Sequence, residues 1–211
     1  MPSRPRSCAA AFLLTLLAAC ADSGVAPPAG PTPTVGDSSA VVNFLRPAVG
    51  APAIANPVVS FYAKVGEDRE AFMYYQRRAS GSDSTVFVRF RVRPNSLLAR
   101  PGGAPFVAGD SILITITLVD PSRLQVSFAP SGLRFSASDP ADLKLSFLEA
   151  DEDLNGDGVV DSRDTAIQAM LAVWKRERVG DPWVRQPTIL APGTHEVETD
   201  ILGFTDYVIA W

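Results

Sequence analysis

Twelve consecutive residues carry the densest chemistry in the sequence: Asp153-Leu154-Asn155-Gly156-Asp157-Gly158-Val159-Val160-Asp161-Ser162-Arg163-Asp164. Counted from Asp153, oxygen-bearing side chains fall at positions 1, 3, 5, 9 and 12, and Val159 offers its carbonyl at 7. Gly158 stands at position 6, where a calcium-binding loop must turn sharply. Hard oxygen donors at this spacing suit a cation that takes about six to eight oxygens. The expected ligands of one calcium ion are therefore Asp153, Asn155, Asp157, the Val159 carbonyl, Asp161 and Asp164. Asp164 reaches less far than a glutamate would, so modest affinity is expected, sufficient outside a cell where such modules work at roughly 0.1–1 mM calcium. Val160 is expected to point back to the core. The bland alternative is an acidic turn that stays solvated; repulsion among so many carboxylates favours the ion.

The run Asp-x-Asn-Gly-Asp-Gly, with aspartate at the twelfth place, resembles the loop of dockerin modules. That resemblance implies a helix after the loop and a role in protein–protein assembly. Two readings of 166–178 stay open. In one, Ile167, Met170, Leu171 and Trp174 share a helical face, as a loop-then-helix unit requires. In the other, a brief helical turn from Asp164 to about Ala169 gives way to a strand over 171–178, paired through Gly180-Asp181 with 183–186. The second is favoured because a second dockerin-like repeat is absent and a strand over 143–147 precedes the loop.

Other catalytic constellations are thin. The only histidine is His195, so nucleophile–base pairs have at most one candidate base. Gly109-Asp110-Ser111 resembles the opening motif of an esterase family, but it enters a β-run and lacks a later Asp-x-x-His. Carboxylate catalysis depends on spacing in space rather than in sequence, which keeps a carboxylate-dependent hydrolase as an alternative. Trp174, Trp183 and Trp211 suit a sugar platform or, more commonly, a sandwich interior. No catalytic residue is expected.

The elements that must position the acidic loop are strands. Period-two alternation recurs over 58–65, 70–76, 85–92, 111–118, 124–128 and 143–147, and again near 183–185, 195–200 and 207–211. Gly66-Glu67-Asp68 reads as a hairpin turn joining the first two runs, and Asp120-Pro121-Ser122 as another tight turn. The β-branched run 111–118 is expected inside a sheet. Arg89, Arg91 and Arg93 alternate with Val88, Phe90 and Val92, which places the arginines on a solvated strand face. About ten short strands with frequent Pro and Gly turns predict a mostly β fold, an antiparallel β-sandwich with one short helix after the loop.

Pro130-Ser131-Gly132-Leu133-Arg134-Phe135-Ser136, Pro140-Ala141-Asp142-Leu143-Lys144-Leu145-Ser146-Phe147 and the closing run Phe204-Thr205-Asp206-Tyr207-Val208-Ile209-Ala210-Trp211 are similar to parts of one family. It is the β-sandwich domain shared by zonula occludens protein, ankyrins and netrin receptors, and the resemblance would cover 86–211. It implies a sandwich used for binding or structure. Some relatives cleave themselves at a His-Phe-Ser step; Gly203-Phe204-Thr205 lacks that histidine and serine, so no self-cleavage is expected.

The first residues supply an address. Arg4 and Arg6 precede an apolar run over 9–19 that is too short to span a bilayer, the pattern of a secretory signal. Leu17-Ala18-Ala19-Cys20 resembles the lipobox of bacterial lipoproteins, which implies cleavage and acylation at Cys20. Cys8 is the only other cysteine and would leave with the signal. The expected organisation is a signal over 1–19, an acylated Cys20 with a Pro/Gly/Ser-rich spacer over 20–40, and one domain over 41–211. Ala21 after Cys20 implies, by the same resemblance, sorting to the outer membrane of a cell envelope. Losing Arg4 and Arg6 takes the net charge from −4 to about −6, without the basic footprint that nucleic acid needs. The expected partners are a membrane, through the lipid, and an envelope protein or glycan.

Overall fold

The computed structural model describes residues 41–78 and 85–211. The expected signal, Cys20 and the spacer lie outside the described residues. The described residues belong to one compact unit, and within it the alternation read from the sequence decides which side chains face inward. In β3 (Val86–Val92), Val88, Phe90 and Val92 are fully buried while Arg89 and Arg91 face out. In β8 (Ala141–Ser146), Ala141, Leu143 and Leu145 are buried in the same rhythm. A strand turns alternate side chains to opposite faces, so the sheet that β3 and β8 share has an apolar inner face and an outer face that carries Arg89, Arg91 and Lys144.

Two antiparallel sheets result. The first joins β1 (Val58–Lys64), β5 (Ser111–Asp120), β6 (Gln125–Ala129), β13 (Asp206–Ala210), β9 (Ala172–Arg176) and β10 (Val184–Arg185), in that order. The second runs β11 (Ile189–Ala191), β12 (Glu196–Ile201), β8, β3 and β2 (Arg69–Tyr74). A small pair, β4 (Leu97–Ala99) with β7 (Arg134–Phe135), stands apart. The mostly β, antiparallel architecture is the one the alternation predicts. Phe90 in the second sheet meets Phe128 of the first at 5.0 Å, Phe204 at 5.7 Å, and Phe61 and Phe135 at 6.2 Å. This aromatic cluster fills the space between the layers.

The turn at Gly66-Glu67-Asp68 is not a hairpin. β1 pairs with β5 and β2 with β3, so the turn is a corner that carries the chain from one sheet to the other. Its amides explain the difference: Glu67 donates to Lys64 within the turn, but Val65 donates to Asp110 and Gly66 to Pro94, carbonyls of neighbouring loops, so the corner is also tied outward. Asp120-Pro121-Ser122 does close a hairpin, between β5 and β6. β5 lies second from the edge.

After β8 the chain crosses back to the first sheet through the acidic loop and α1 (Ser162–Gln168), the only helix among the described residues. β9 then pairs with β10, Val184 opposite Lys175 and Arg185 opposite Trp174. The brief helix followed by a paired strand is thus the arrangement formed; the longer helical face is not, and Met170 is half exposed.

At the other end of the described chain, residues 43–48 run as a strap between two distant segments. Leu45 donates to Ile209, and Asn43 and Trp211 exchange amide hydrogen bonds, beside β13. Three residues on, Ala48 donates to Glu149 and Asp151 donates to Arg46.

Candidate metal centre

The loop over 153–164 takes its shape from its own side chains. Asp153 gathers three amides: Oδ1 accepts from Gly156 at 2.8 Å and Asp157 at 3.1 Å, and Oδ2 from Gly158 at 2.7 Å. Asn155 Oδ1 accepts from Asp157, and Asp157 Oδ1 from Val159, at 2.8 and 3.0 Å. Asn155 and Asp157 thus turn the backbone two residues on, the local bonding that Asp and Asn favour, while Asp153 reaches amides three to five residues on. Gly156 and Gly158 take φ of +74° and +85°, a region that costs other residues a steric clash.

The far end is closed by a capping box. Asp161 caps α1 by accepting from Arg163, and Asp164 reaches back to the Asp161 amide at 2.9 Å. The other oxygen of Asp164 accepts from Asn155 at 3.0 Å, so this one carboxylate ties loop position 3 to position 9. Asp164 is 3% exposed. The amides of Asp161 and then Asn155 hold its carboxyl below the ordinary aspartate range, so it is ionised at neutral pH.

All six expected ligand residues therefore belong to one hydrogen-bonded network. Their carboxylates are spread along it: among the described residues no three acidic, imidazole or thiol groups gather where one ion would sit. The oxygen-rich donor set fits calcium rather than a softer metal, and binding would draw carboxylates inward that now hold amides. Val160 departs from expectation. It is 59% exposed, as is Val159, because the chain from β8 to β9 skirts the end of the sandwich and leaves the loop's middle outside the core.

Sequence reading passed over three contributors. Arg163 reaches Asp157 Oδ2 at 3.2 Å and offsets part of the loop's charge. Asp151 accepts from the Asp153 amide at 3.2 Å, fixing the loop's entry. The strap bonds to Glu149 and Asp151, just ahead of that entry. Arg163 was visible inside the loop; the strap's only signal was the apolar cluster at Val41, Val42, Phe44 and Leu45 after the spacer.

The remaining candidates lie in turns, at strand ends and in packed contacts. His195 sits in the β11–β12 turn at φ +55°, with its ring edge-on to Phe147 at 5.5 Å and its carbonyl accepting from the Phe147 amide. Asp110 accepts from Val107 and pairs with Arg100, and Ser111 opens β5. The Trp174 indole donates to Ala210, and Trp183 lies between Phe44 and the Arg176 guanidinium. On the outer face of the second sheet Arg89 pairs with Glu70, Arg91 with Asp68 and Arg93 with Asp142. Phe204 is part of the core. No described helix is long and apolar enough to cross a membrane. No protein-family model, curated protein or solved structure matches this chain.

Proposed function

We propose that this chain is an exported lipoprotein of the cell envelope, anchored by an acylated Cys20, whose calcium-stabilised β-sandwich is a non-catalytic binding or scaffold module. The observation that supports calcium is the amide network of the loop: Asp153, Asn155, Asp157, Asp161 and Asp164 already wrap the backbone about their carboxylate and amide oxygens. The ion's place is the connection between β8 and β9, one in each sheet, so binding there would staple the two layers.

Calcium titration followed by thermal melting tests the metal. An ion bound only to the folded state stabilises by about 2.7 kcal/mol at a hundredfold excess over Kd, a rise of roughly 5–10 °C for a domain of this size. Asp157→Ala is expected to abolish that rise; equal melting with calcium and with chelator would refute the ion. Labelled palmitate tests the anchor: label on the parent chain and none on Cys20→Ser is the expected result, and an unlabelled parent removes it.

A protein-assembly module is the second reading. Val159 and Val160 at 59%, Met170 at 51% and Leu148 at 48% exposure surround the loop with apolar surface. A partner retained from envelope extract with calcium and lost with chelator would favour it.

A further inference from the structure

We propose that β1 is a docking edge for a second copy of this chain, which adds its own β1 antiparallel about a twofold axis at Ser60 and so joins the two six-stranded sheets into one. The inference is independent of the acidic loop and of the anchor, and stands whether or not either carries its ligand.

The open edge is read from the ladder. Val65 donates to the Asp110 carbonyl and Leu118 to that of Pro57, and β1 pairs with β5 in unbroken register from Val58 opposite Thr117 to Lys64 opposite Ser111. In an antiparallel pair, successive residues alternately bond to the partner strand and point away from it. Val59, Phe61 and Ala63 therefore bond to β5, and the amides and carbonyls of Val58, Ser60 and Tyr62 face outward. Among the described residues no second strand pairs with β1, and no other backbone group bonds to these three. Such a row is complementary to an extended chain.

The other edges of the two large sheets are blunted. β10 has two residues and β11 three. β2 begins with Arg69 and Glu70 and breaks register between Met73 and Tyr74, and its end is covered by a segment in which Ala55 donates to Tyr74 and Ala53 accepts from Gln76. Short strands, charges, irregularities and covering segments are the means by which proteins keep sheet edges from pairing. β1 has seven residues, no register break and no charge before Lys64, whose ammonium is paired with Glu67. The face beside this edge is neutral as well. Val58, Tyr62 and Leu113 are exposed around the hydrogen-bonded Ser60 and Thr115 hydroxyls, whereas the outer face of the second sheet carries Arg89, Arg91 and Lys144.

What selects a second copy is that the edge is complementary to itself, as a twofold interface requires. With Ser60 opposite Ser60, Val58 of each chain falls opposite Tyr62 of the other, so each outward amide meets an outward carbonyl. Lys64 falls opposite Asn56, a neutral side chain, and no like charges are opposed. One added strand pair is smaller than the ~1,600 Å² of a standard interface, so the association is weak and shows at high concentration.

Sedimentation of the full chain over a hundredfold range of concentration, with amide hydrogen exchange at both ends of that range, tests the edge. The expected result is a monomer that passes to a dimer as concentration rises, with exchange slowed at Val58, Ser60 and Tyr62 and unchanged at Val59, Phe61 and Ala63. The Ser60 side chain is exposed, so Ser60→Lys and Ser60→Glu are expected to keep the fold, which thermal melting checks. Each alone sets like charges opposite one another across the axis and is expected to weaken association about tenfold or more. Mixing the two variants is expected to restore it, because a twofold at this residue brings the two new charges together. A chain that stays monomeric with fast exchange at the three amides overturns the proposal, and so does association that the variants leave unchanged or that mixing fails to restore. Slow exchange at those amides in a chain that sediments as a monomer would put one of its own segments on the edge, and likewise overturns the second copy.

Discussion

Tyr207 shows how one side chain can hold a whole strand end. It is 2% exposed, and its hydroxyl donates to the Gly203 carbonyl at 2.7 Å across the turn before β13. Burial pushes its pKa above the ordinary tyrosine value, so it stays neutral and remains a donor at neutral pH. Tyr207→Phe keeps the ring's edge-on contact with Phe128 and strands the carbonyl, which should cost about 1–2 kcal/mol. Urea unfolding of the two chains measures it; a difference near zero would mean that water reaches Gly203. Gly158 is the loop's counterpart. Nothing lies within 4 Å of a Cβ built there, yet its φ is +85°, so Gly158→Ala should lose roughly 1 kcal/mol to backbone strain alone. The same experiment should show that loss with chelator present, because the strain exists whether or not an ion is bound.

The element that depends most on its ends is α1. Its seven residues are too few to form a helix unaided, so the capping box and the loop must supply what propensity does not. Asp164 is lowered from the ordinary value of 3.8 by amides of Asp161 and Asn155. A carboxyl whose pKa is lower folded than unfolded stabilises fully above the unfolded value, and that contribution is lost as pH falls through the folded one. Asp142 works in the opposite direction. Burial raises it despite Arg93, so its charge costs the fold stability that is recovered as pH falls. Global acid unfolding sums these opposed effects, and only a local probe separates them. The amide resonances of Asn155 and Asp161 should titrate with a midpoint below 3.8 in chelator and lose that titration in Asp164→Asn. A midpoint at or above 3.8 would mean that the amides do not hold the carboxylate.

At the scale of the molecule, the legible part was whatever repeats. Alternation in β3, β5 and β8 marked strands and their dry faces because burial on one side of a sheet imposes period two. The acidic loop was legible because its oxygen-bearing residues and glycines recur at fixed spacing. Pairing was not: Gly66-Glu67-Asp68 has hairpin composition, yet it is a corner, since the amides of Gly66 and of Val65 before it go to the carbonyls of Pro94 and Asp110, far away in sequence. β4 and β7, at three and two residues, are too short to show any period, and Val160 faces outward because of where the crossover runs. What binds these pieces into one cooperative body is the Phe90 cluster, and its failure can be observed from two sides. Trp174 lies in β9, Trp183 precedes β10 and Trp211 follows β13, so tryptophan fluorescence reports the first sheet, whereas far-ultraviolet dichroism reports both. Phe90 belongs to the second sheet and packs on Phe61 and Phe128 of the first. Phe90→Ala should cost about 3–5 kcal/mol and move both unfolding curves together, because the lost contacts are those that make the layers one unit. If fluorescence kept its midpoint while dichroism shifted, the sheets would be folding as separate units and the cluster would not be their shared core.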